Sequence, residues 1–427
     1  MSAKGKNKAK AFATLPNAVP TSSTKIHEGA LDNSNYVLAQ MKNGKWEKAK
    51  IIECRLSKDY DPKQKKDDSS YEYYVHYEFY NRRMDEWIGR ERIQLTEEPI
   101  IEDTQPKKRP RPSDKREVTA ENDEHEGMDH QSLITHEMHT KFKTIEKIEF
   151  GQYRCDTWYY SPFPSGYHNI DCLFICEFCL SFYIRKSELQ RHQLKCVLCK
   201  LGHPPGDEMY RDTERRLSMF EIDGHKNPTY CENLCYIAKL FLDHKNLYYD
   251  VEPFLFFVLT EYNETGFHIV GYFSKEKESS QGWNLSCILT FPFHQRKGYG
   301  KFLISMSYQL SLIEGKYGTP ERPLSDLGRE SYLSWWTQSI IDYLKKNKDG
   351  EITIAGLTKE TGIKDTDAWW TLEQKHLIKY QQSQPLICMD MAYLDLIYSK
   401  AGRPGLPVKK DCIHWVPYKR PKGQDKS

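Results

Sequence analysis

The sequence predicts an α+β chain of several domains: a small N-terminal β-barrel-like module, a polar linker, and a long region of mixed strands and helices that carries a metal-binding finger. Three observations lead there. Residues 36–95 read as short strands, with Asn43-Gly44 as a hairpin turn. Residues 97–137 are charged and proline-bearing, with almost no aliphatic side chains. From about residue 138 onward, aromatic strand-like runs alternate with helical stripes, and a knuckle of Cys176 and Cys179 opens a Cys/His cluster. At about 150 residues per domain, 427 residues allow roughly two to four domains.

Composition narrows the class. Hydrophobic residues make up 38% of the chain, charged residues 29%, and the formal net charge is +2. The chain is not a polycation, so nucleic-acid contact must come from local patches. The longest apolar run, FLFFVL at 254–259, is far short of the roughly 20 residues that span a bilayer. The opening MSAKGKNKAKAF has no apolar h-region, so a secretory signal is not expected. In the reducing compartment this implies, 12 cysteines point to metal ligands and buried thiols rather than disulfides.

The elements follow in order. Residues 1–30 are rich in Lys, Ala and Ser and read as a disordered tail. YVLAQMKNGKWEKAKIIECRL supplies two strands around KNGK, and SSYEYYVHYEFYNRRMDEWIGRERIQL a third with a Trp-bearing return. Within the linker, PKKRPRP at 106–112 fits a nuclear-localisation patch, and equally a solvated basic run. Residues 230–245 place Leu234, Ile237, Ala238 and Phe241 on one helical face. Residues 253–277 read as a hairpin turning at NETG, and 283–291 as a further strand. A glycine loop follows, then a helix over about 300–315 with an apolar stripe of Leu303, Met306, Leu310 and Ile313. Last, 352–380 has two short helices across TGIK, a helix-turn-helix outline. Its second helix, DTDAWWTLEQKHLI, is acidic and aromatic rather than rich in base-reading side chains, so it reads as a packing element beside the cleft.

Two motifs carry chemistry. A tetrahedral zinc site needs four soft ligands, commonly two close pairs. Cys176, Cys179, His192 and Cys196 give a finger with C-x2-C-x12-H-x3-C spacing. Cys176, Cys179, Cys196 and Cys199 give a ribbon-like alternative. Either set closes the coordination sphere, which points to a structural ion. The second motif is QRKGYGK, 295–301, between a strand and a helix. It lacks the Gly-Lys-Ser/Thr ending of a P-loop and is not a G-x-G-x-x-G fingerprint. Its open helix amides, with Arg296 and Lys297, suit a pyrophosphate. By itself the pattern is also that of a plain tight turn.

The surroundings of the loop point further. The segments DTWYYSPFP, HPPGDEMYR, FLDHKNLYYDVEPFLFFVLTE, HIVGYFSKEK, ILT with QRKGYGK, and GTPERPLSDLG occur in this order. Together they resemble the MYST family of histone acetyltransferases over about 145–400. YYVHYEFYNRRMDEWI resembles the chromo-barrel (Tudor-knot) module of one MYST branch, the catalytic subunit of nucleosome-acetylating complexes.

The resemblance implies a chromo-barrel at 31–96, a linker at 97–137 and an acetyltransferase domain at 138–420. Within that domain it implies a zinc finger at about 170–200, a GNAT-like acetyl-CoA core at about 225–345 and the helix-turn-helix-like part at about 350–400. It implies a strand Ile288, Leu289, Thr290 paired with the pantetheine arm of acetyl-coenzyme A. The pyrophosphate falls to Gln295, Arg296, Lys297, Gly298, Tyr299, Gly300 and Lys301, with further contacts from Ser325 and Ser334. The finger pattern favours Cys176, Cys179, His192 and Cys196 as zinc ligands, leaving Cys172 and Cys199 as nearby thiols. Glu321 in TPERP matches the general base, Cys287 the active-site cysteine, and Lys245 an autoacetylated lysine.

Read without the resemblance, Glu321 is a surface turn residue between prolines, and Cys287 a core thiol in step with Leu285 and Leu289. The chemistry still demands a base, because a lysine ammonium with a pKa near 10.4 must lose a proton before it attacks a thioester. The implied function is acetyl transfer to lysines of histone tails, in the nucleus, within a multiprotein complex and with no membrane. The other reading is a chromatin-binding adaptor with an inactive domain. Tyr73, Tyr74, Tyr77, Phe79, Tyr80 and Trp87 include candidates for a methyl-lysine cage, or for stacking on RNA beside Arg82 and Arg83, although alternating aromatics also build cores.

Overall fold

A computed structural model describes residues 30–31, 36–57, 60, 66–95, 142–243, 250–381 and 384–419. Residues 1–29, the linker with PKKRPRP, and Lys245 lie outside the described residues. The chain divides into two units, Met1–Glu102 and Asp103–Ser427.

The first unit is an antiparallel sheet of β1 (Tyr36–Gln40), β2 (Trp46–Leu56), β3 (Tyr71–Tyr77), β4 (Glu86–Gly89) and β5 (Ile93–Leu95), in the order β4-β3-β2-β1-β5. The Asn43-Gly44 turn is a three-residue loop. Met41 and Lys45 close it, and Gly44 takes the left-handed position at φ 84°. A bulge between Ile51 and Glu53 bends β2 against β3. In place of a ladder between β4 and β5, Arg92 ties the ends together. Its Nε donates to Gln40 O at 2.8 Å and its Nη2 pairs with Glu86 Oε1 at 2.7 Å.

The aromatic run divides. Tyr73, Tyr74 and Tyr77 are buried, whereas Phe79 is 82% exposed. Trp87 lies 5.3 Å from the Tyr74 ring, and the Arg55 guanidinium sits 4.2 Å from its centroid. One face of Trp87 is therefore already occupied by the protein's own cation.

The second unit begins with β6 (Ile145–Phe150), β7 (Tyr153–Asp156), β8 (Ile170–Ile175) and β9 (Phe182–Tyr183), ordered β7-β6-β8-β9 with β6 and β8 parallel. Helices α1 (Lys186–Gln193) and α2 (Val197–Leu201) follow. A five-stranded sheet comes next in simple chain order: β10 (Asp207–Asp212), β11 (Leu217–Asp223), β12 (Phe254–Asn263), β13 (Gly266–Glu276) and β14 (Ile288–Thr290). Between β11 and β12 runs α3 (Pro228–Lys239), with Pro at its first turn where a missing N–H costs nothing.

The FLFFVL run is explained by burial on both faces of β12. Phe256 and Val258 join the core with Leu234, Ile237 and Ala238 of α3. Leu255, Phe257 and Leu259 join the opposite core with Phe302, Leu303, Met306 and Leu310 of α4 (Tyr299–Ile313). A third core forms among α4, α5 (Asp326–Lys346), α6 (Ile354–Thr361), α7 (Asp365–Gln374) and α8 (Met391–Lys400), centred on Trp336 and Tyr332. A small hairpin, β15 (Ile378–Gln381) with β16 (Gln384–Ile387), follows α7.

Three expectations are corrected. The strand expected over 283–291 has regular pairing only at Ile288–Thr290, because a bulge interrupts it earlier. Ile313 is 45% exposed and leaves the α4 stripe, since it occupies the last turn. The helix expected over 230–245 ends at Lys239, although Phe241 beyond it stays buried.

Candidate functional site

The site is assembled where the edge strand β14 gives way to α4. Among the described residues β14 pairs only with β13, through Gly271↔Thr290, Tyr272↔Leu289 and Phe273↔Ile288, and its other edge carries no strand. A short turn at Pro292–His294 leads into the glycine loop. The Gln295 side chain donates back to Thr290 O at 3.0 Å, Arg296 takes a left-handed φ of 62°, and Arg296 and Lys297 point to solvent.

Gly298 is the N-cap of α4 at φ 94° and offers no capping side chain. The Phe302 amide makes the early helical bond, to Gly298 O at 3.1 Å, so the amides before it are available to an anion. A Cβ on Gly300 would have only Thr290 Oγ1 nearby, at 3.6 Å, which leaves room beside the loop. Thr290 Oγ1 is itself buried without a hydrogen-bond partner, as a polar ligand group would require.

Cys287 departs from its expected parity. The Ser286 amide donates to Ser274 O at 2.8 Å, and the Ser274 amide donates to Cys287 O at 2.8 Å. Two residues thus face one, a β-bulge that breaks the alternation. Leu285 and Leu289 stay buried, but Cys287 is only half-buried, so it is not the core thiol that the pattern suggested. The Cys287 amide donates to Ser274 Oγ at 3.1 Å, which commits it and removes it as an oxyanion donor.

Glu321 lies beside this bulge. Pro320 bridges Leu285 in parallel, and the Glu321 amide donates to Leu285 O at 2.8 Å. The residue is half-buried rather than a free surface turn.

Ser325 caps α5, its Oγ accepting from the Gly328 amide at 3.1 Å. Ser334 Oγ donates to Ala401 O. Lys301 turns away from the loop: its Nζ donates to Gln338 Oε1 at 2.9 Å and to Arg403 O at 2.7 Å, and burial pushes its ammonium pKa down. Behind the loop His294 is buried, which lowers its imidazole to about 4 and keeps it neutral, and its Nδ1 has no hydrogen-bond partner.

The metal cluster forms where β8 ends and α1 presents His192. The ligand atoms of Cys176, Cys179, His192 and Cys196 all lie within 4.8 Å of one another. His192 Nε2 is 3.1 Å from Cys179 Sγ, and Cys176 and Cys196 are buried. Three thiols and an imidazole, converging with no further ligand required, fit a structural zinc ion. Cys199 Sγ lies 3.3 Å from Cys176 Sγ but is not among the four converging ligand atoms, which are those of the finger pairing. Cys172 packs away in its strand.

Sequence reasoning missed several supports. Residues 402–419 pack behind the loop, with Leu406 against Gly298 and Trp415 on the α4 face of the sheet. They have no periodicity to announce them. Ser274 behind Cys287 and the buried Asn284 before it read as ordinary strand residues.

Comparison with known proteins accords with this geometry. The MOZ/SAS family model matches residues 203–413, the MYST family zinc finger domain residues 142–196, and the Tudor-knot, described as an RNA binding activity-knot of a chromodomain, residues 31–95. Histone acetyltransferase of the MYST family 1 from Arabidopsis thaliana is 49% identical over 417 residues, 96% of this chain and 91% of that protein. Histone acetyltransferase of the MYST family 2 from the same plant is 48% identical over 94% of this chain and 88% of its own length. A putative MYST-like histone acetyltransferase 1 from Oryza sativa subsp. japonica is 49% identical over 91% and 86%. With such identity along nearly its whole length, the chain belongs to the MYST family.

Proposed function

We propose that this chain is a histone lysine acetyltransferase that moves the acetyl group of acetyl-coenzyme A to the ε-amine of lysines on histone tails. The observation that carries this reading is the backbone bond from Glu321 to Leu285. It ties the backbone of the residue that carries this carboxylate beside the segment that holds Cys287 and runs on through β14 into the glycine loop.

The pantetheine arm lies along the open edge of Ile288, Leu289 and Thr290. The pyrophosphate sits on the amides of Gly298, Tyr299 and Gly300, with Gln295, Arg296 and Lys297 around it. Ser325 accepts a bond as a helix cap and keeps its O–H for the coenzyme. Ser334 has spent its O–H on Ala401 and keeps its lone pairs. Lys301 serves by fixing the loop. Cys176, Cys179, His192 and Cys196 hold the zinc, which braces the finger and takes no part in acetyl transfer.

Glu321 removes a proton from the substrate ammonium, directly or through one water. The freed nitrogen attacks the thioester carbonyl carbon. A C–N bond forms, the C–S bond breaks, and the second ammonium proton passes from the nitrogen to the departing sulfur, so that the coenzyme leaves as its thiol and Glu321 returns the first proton to solvent. Because the Cys287 amide is occupied, the Ile288 amide is the nearer candidate for stabilising the oxyanion. Cys287 flanks the reacting centre, and attack by lysine needs no acyl-enzyme.

The histone substrate in the relatives' names and the basic run at 106–112 support action in the nucleus, and the multiprotein complex rests on the resemblance alone. Among the described residues no helix is long and apolar enough to cross a membrane. The barrel unit contacts chromatin or RNA. Exposed Phe79 on the loop with Arg82 and Arg83 favours base stacking over a methyl-lysine cage built on Trp87. Lys245 is the autoacetylation site by resemblance.

The test is transfer of radiolabelled acetyl from acetyl-coenzyme A to core histones, wild type beside Glu321→Gln. Labelling by wild type alone supports the reading. Equal labelling by both removes Glu321 as base, and none by wild type within its complex favours the adaptor.

A further inference from the structure

The segment that carries Glu321 is held from two sides. On one side, the Asn284 amide donates to Thr319 O at 3.0 Å and the Glu321 amide to Leu285 O at 2.8 Å. On the other, the Gly318 amide donates to Gly362 O at 2.7 Å and the Lys364 amide to Gly318 O at 3.0 Å. Gly362 and Lys364 are the turn of the helix-turn-helix outline, between α6 and α7. A Cβ on Gly318 would meet Asn284 Nδ2 at 2.2 Å, so the segment has no slack on the strand side.

One residue beyond Glu321, Arg322 Nη2 pairs with Asp367 Oδ1 at 2.8 Å, and its guanidinium lies 5.7 Å from the Trp336 ring centre. Asp367 is in the first turn of α7 and is 5% exposed, whereas the Arg322 side chain is 48% exposed. Asp367 Oδ2 is buried with no hydrogen-bond partner. A buried carboxylate paired through one oxygen adds little net stability, so the pair with Arg322 is better read as fixing the geometry of the segment beside it. Burial raises its pKa, while Thr319 and Arg322, the residues on either side of the Pro320-Glu321 pair, oppose that rise.

We propose that Asp367, acting through Arg322, is a positioning residue for Glu321, so that the α6–α7 unit is part of the catalytic scaffold. The inference rests on Glu321 being the base. Loss of the pair frees the residue next to the base, and a displacement of about 1 Å at a catalytic group costs on the order of 100-fold in rate.

The experiment measures kcat and the KM for acetyl-coenzyme A in Arg322→Gln, Arg322→Lys and Asp367→Asn, each alone and combined with Glu321→Gln. The expected result is a fall in kcat of about 10- to 100-fold for Arg322→Gln and Asp367→Asn, with KM unchanged and partial recovery in Arg322→Lys. In the Glu321→Gln background neither substitution lowers the residual rate further, which a merely structural defect would not reproduce. Arg322 is half-exposed, so Arg322→Gln carries the test if Asp367→Asn does not fold. An inactive Glu321→Gln beside a wild-type kcat in Arg322→Gln overturns the positioning role alone, as do losses that multiply in the double variants. A fully active Glu321→Gln overturns the base and this inference with it.

Discussion

Gly298→Ala separates coenzyme binding from chemistry. Gly298 sits at φ 94°, where a residue with a Cβ pays roughly 1–2 kcal/mol. The new Cβ would also lie 3.2 Å from Leu406 N and 3.3 Å from Leu406 Cγ, so the loop or residues 402–419 must shift by a few tenths of an ångström. Together these approach about 2 kcal/mol, borne by the loop that presents its amides to the pyrophosphate. At about 1.4 kcal/mol per tenfold, the KM for acetyl-coenzyme A should rise about 30-fold. Initial rates across a coenzyme series read it directly, and kcat at saturation should stay within a factor of about 2, since proton removal at Glu321 is untouched. Gly315→Ala is the control: its φ of 68° carries a similar torsional cost in open space at the far end of α4. A falling kcat with unchanged KM, or the same KM rise in Gly315→Ala, would refute the loop's assignment.

Cys287→Ala should keep kcat within about threefold of wild type, and a loss comparable to that of Glu321→Gln would require the acyl-enzyme route. Zinc content should be one ion per chain in wild type and in Cys199→Ser, and lost in His192→Ala, as read by metal analysis; the reverse pattern would select the ribbon pairing. Structural zinc contributes about 10–16 kcal/mol in isolated fingers, so chelation should expose the region around 170–200 to protease. His294 is held down to about 4, mainly by burial, whereas it titrates near 6.5 when unfolded. Its neutral form therefore gives stability that is complete above pH 6.5 and declines as pH falls toward 4, at most about 3 kcal/mol. His294→Gln should flatten the acid side of the melting-temperature profile relative to wild type, and parallel profiles would refute it.

The parts legible in the sequence are those set by local chemistry or by periodicity. Asn43-Gly44 announced its turn because the left-handed position needs glycine. The C-x2-C knuckle and His192 converge because the two-turn helix Lys186–Gln193 places His192 near its end, beside the segment that carries Cys196. The glycine loop was visible as a strand-turn-helix, although only the resemblance supplied its ligand. What stayed hidden depends on long-range partners. Cys287 looked like core because a bulge leaves no mark in an apolar run. Glu321 looked like a surface turn because its anchor, Leu285, is 36 residues away. Asp367 counted toward an acidic helix face until Arg322 appeared against it. Residues 402–419 have neither period, and their contacts with Arg215 and Asp212 cross nearly 200 positions.

The central claim is that Glu321 takes the proton from the attacking lysine, and a pH–rate series tests it most directly. At neutral pH only a small fraction of substrate amine is free, because lysine titrates near 10.4, so the base is needed. As pH rises, free amine accumulates and the need disappears. Glu321→Gln should be slower than wild type by about 100-fold or more at pH 7, and the gap should narrow steadily toward pH 9.5. A gap of constant size across that range, or none at pH 7, would contradict the account.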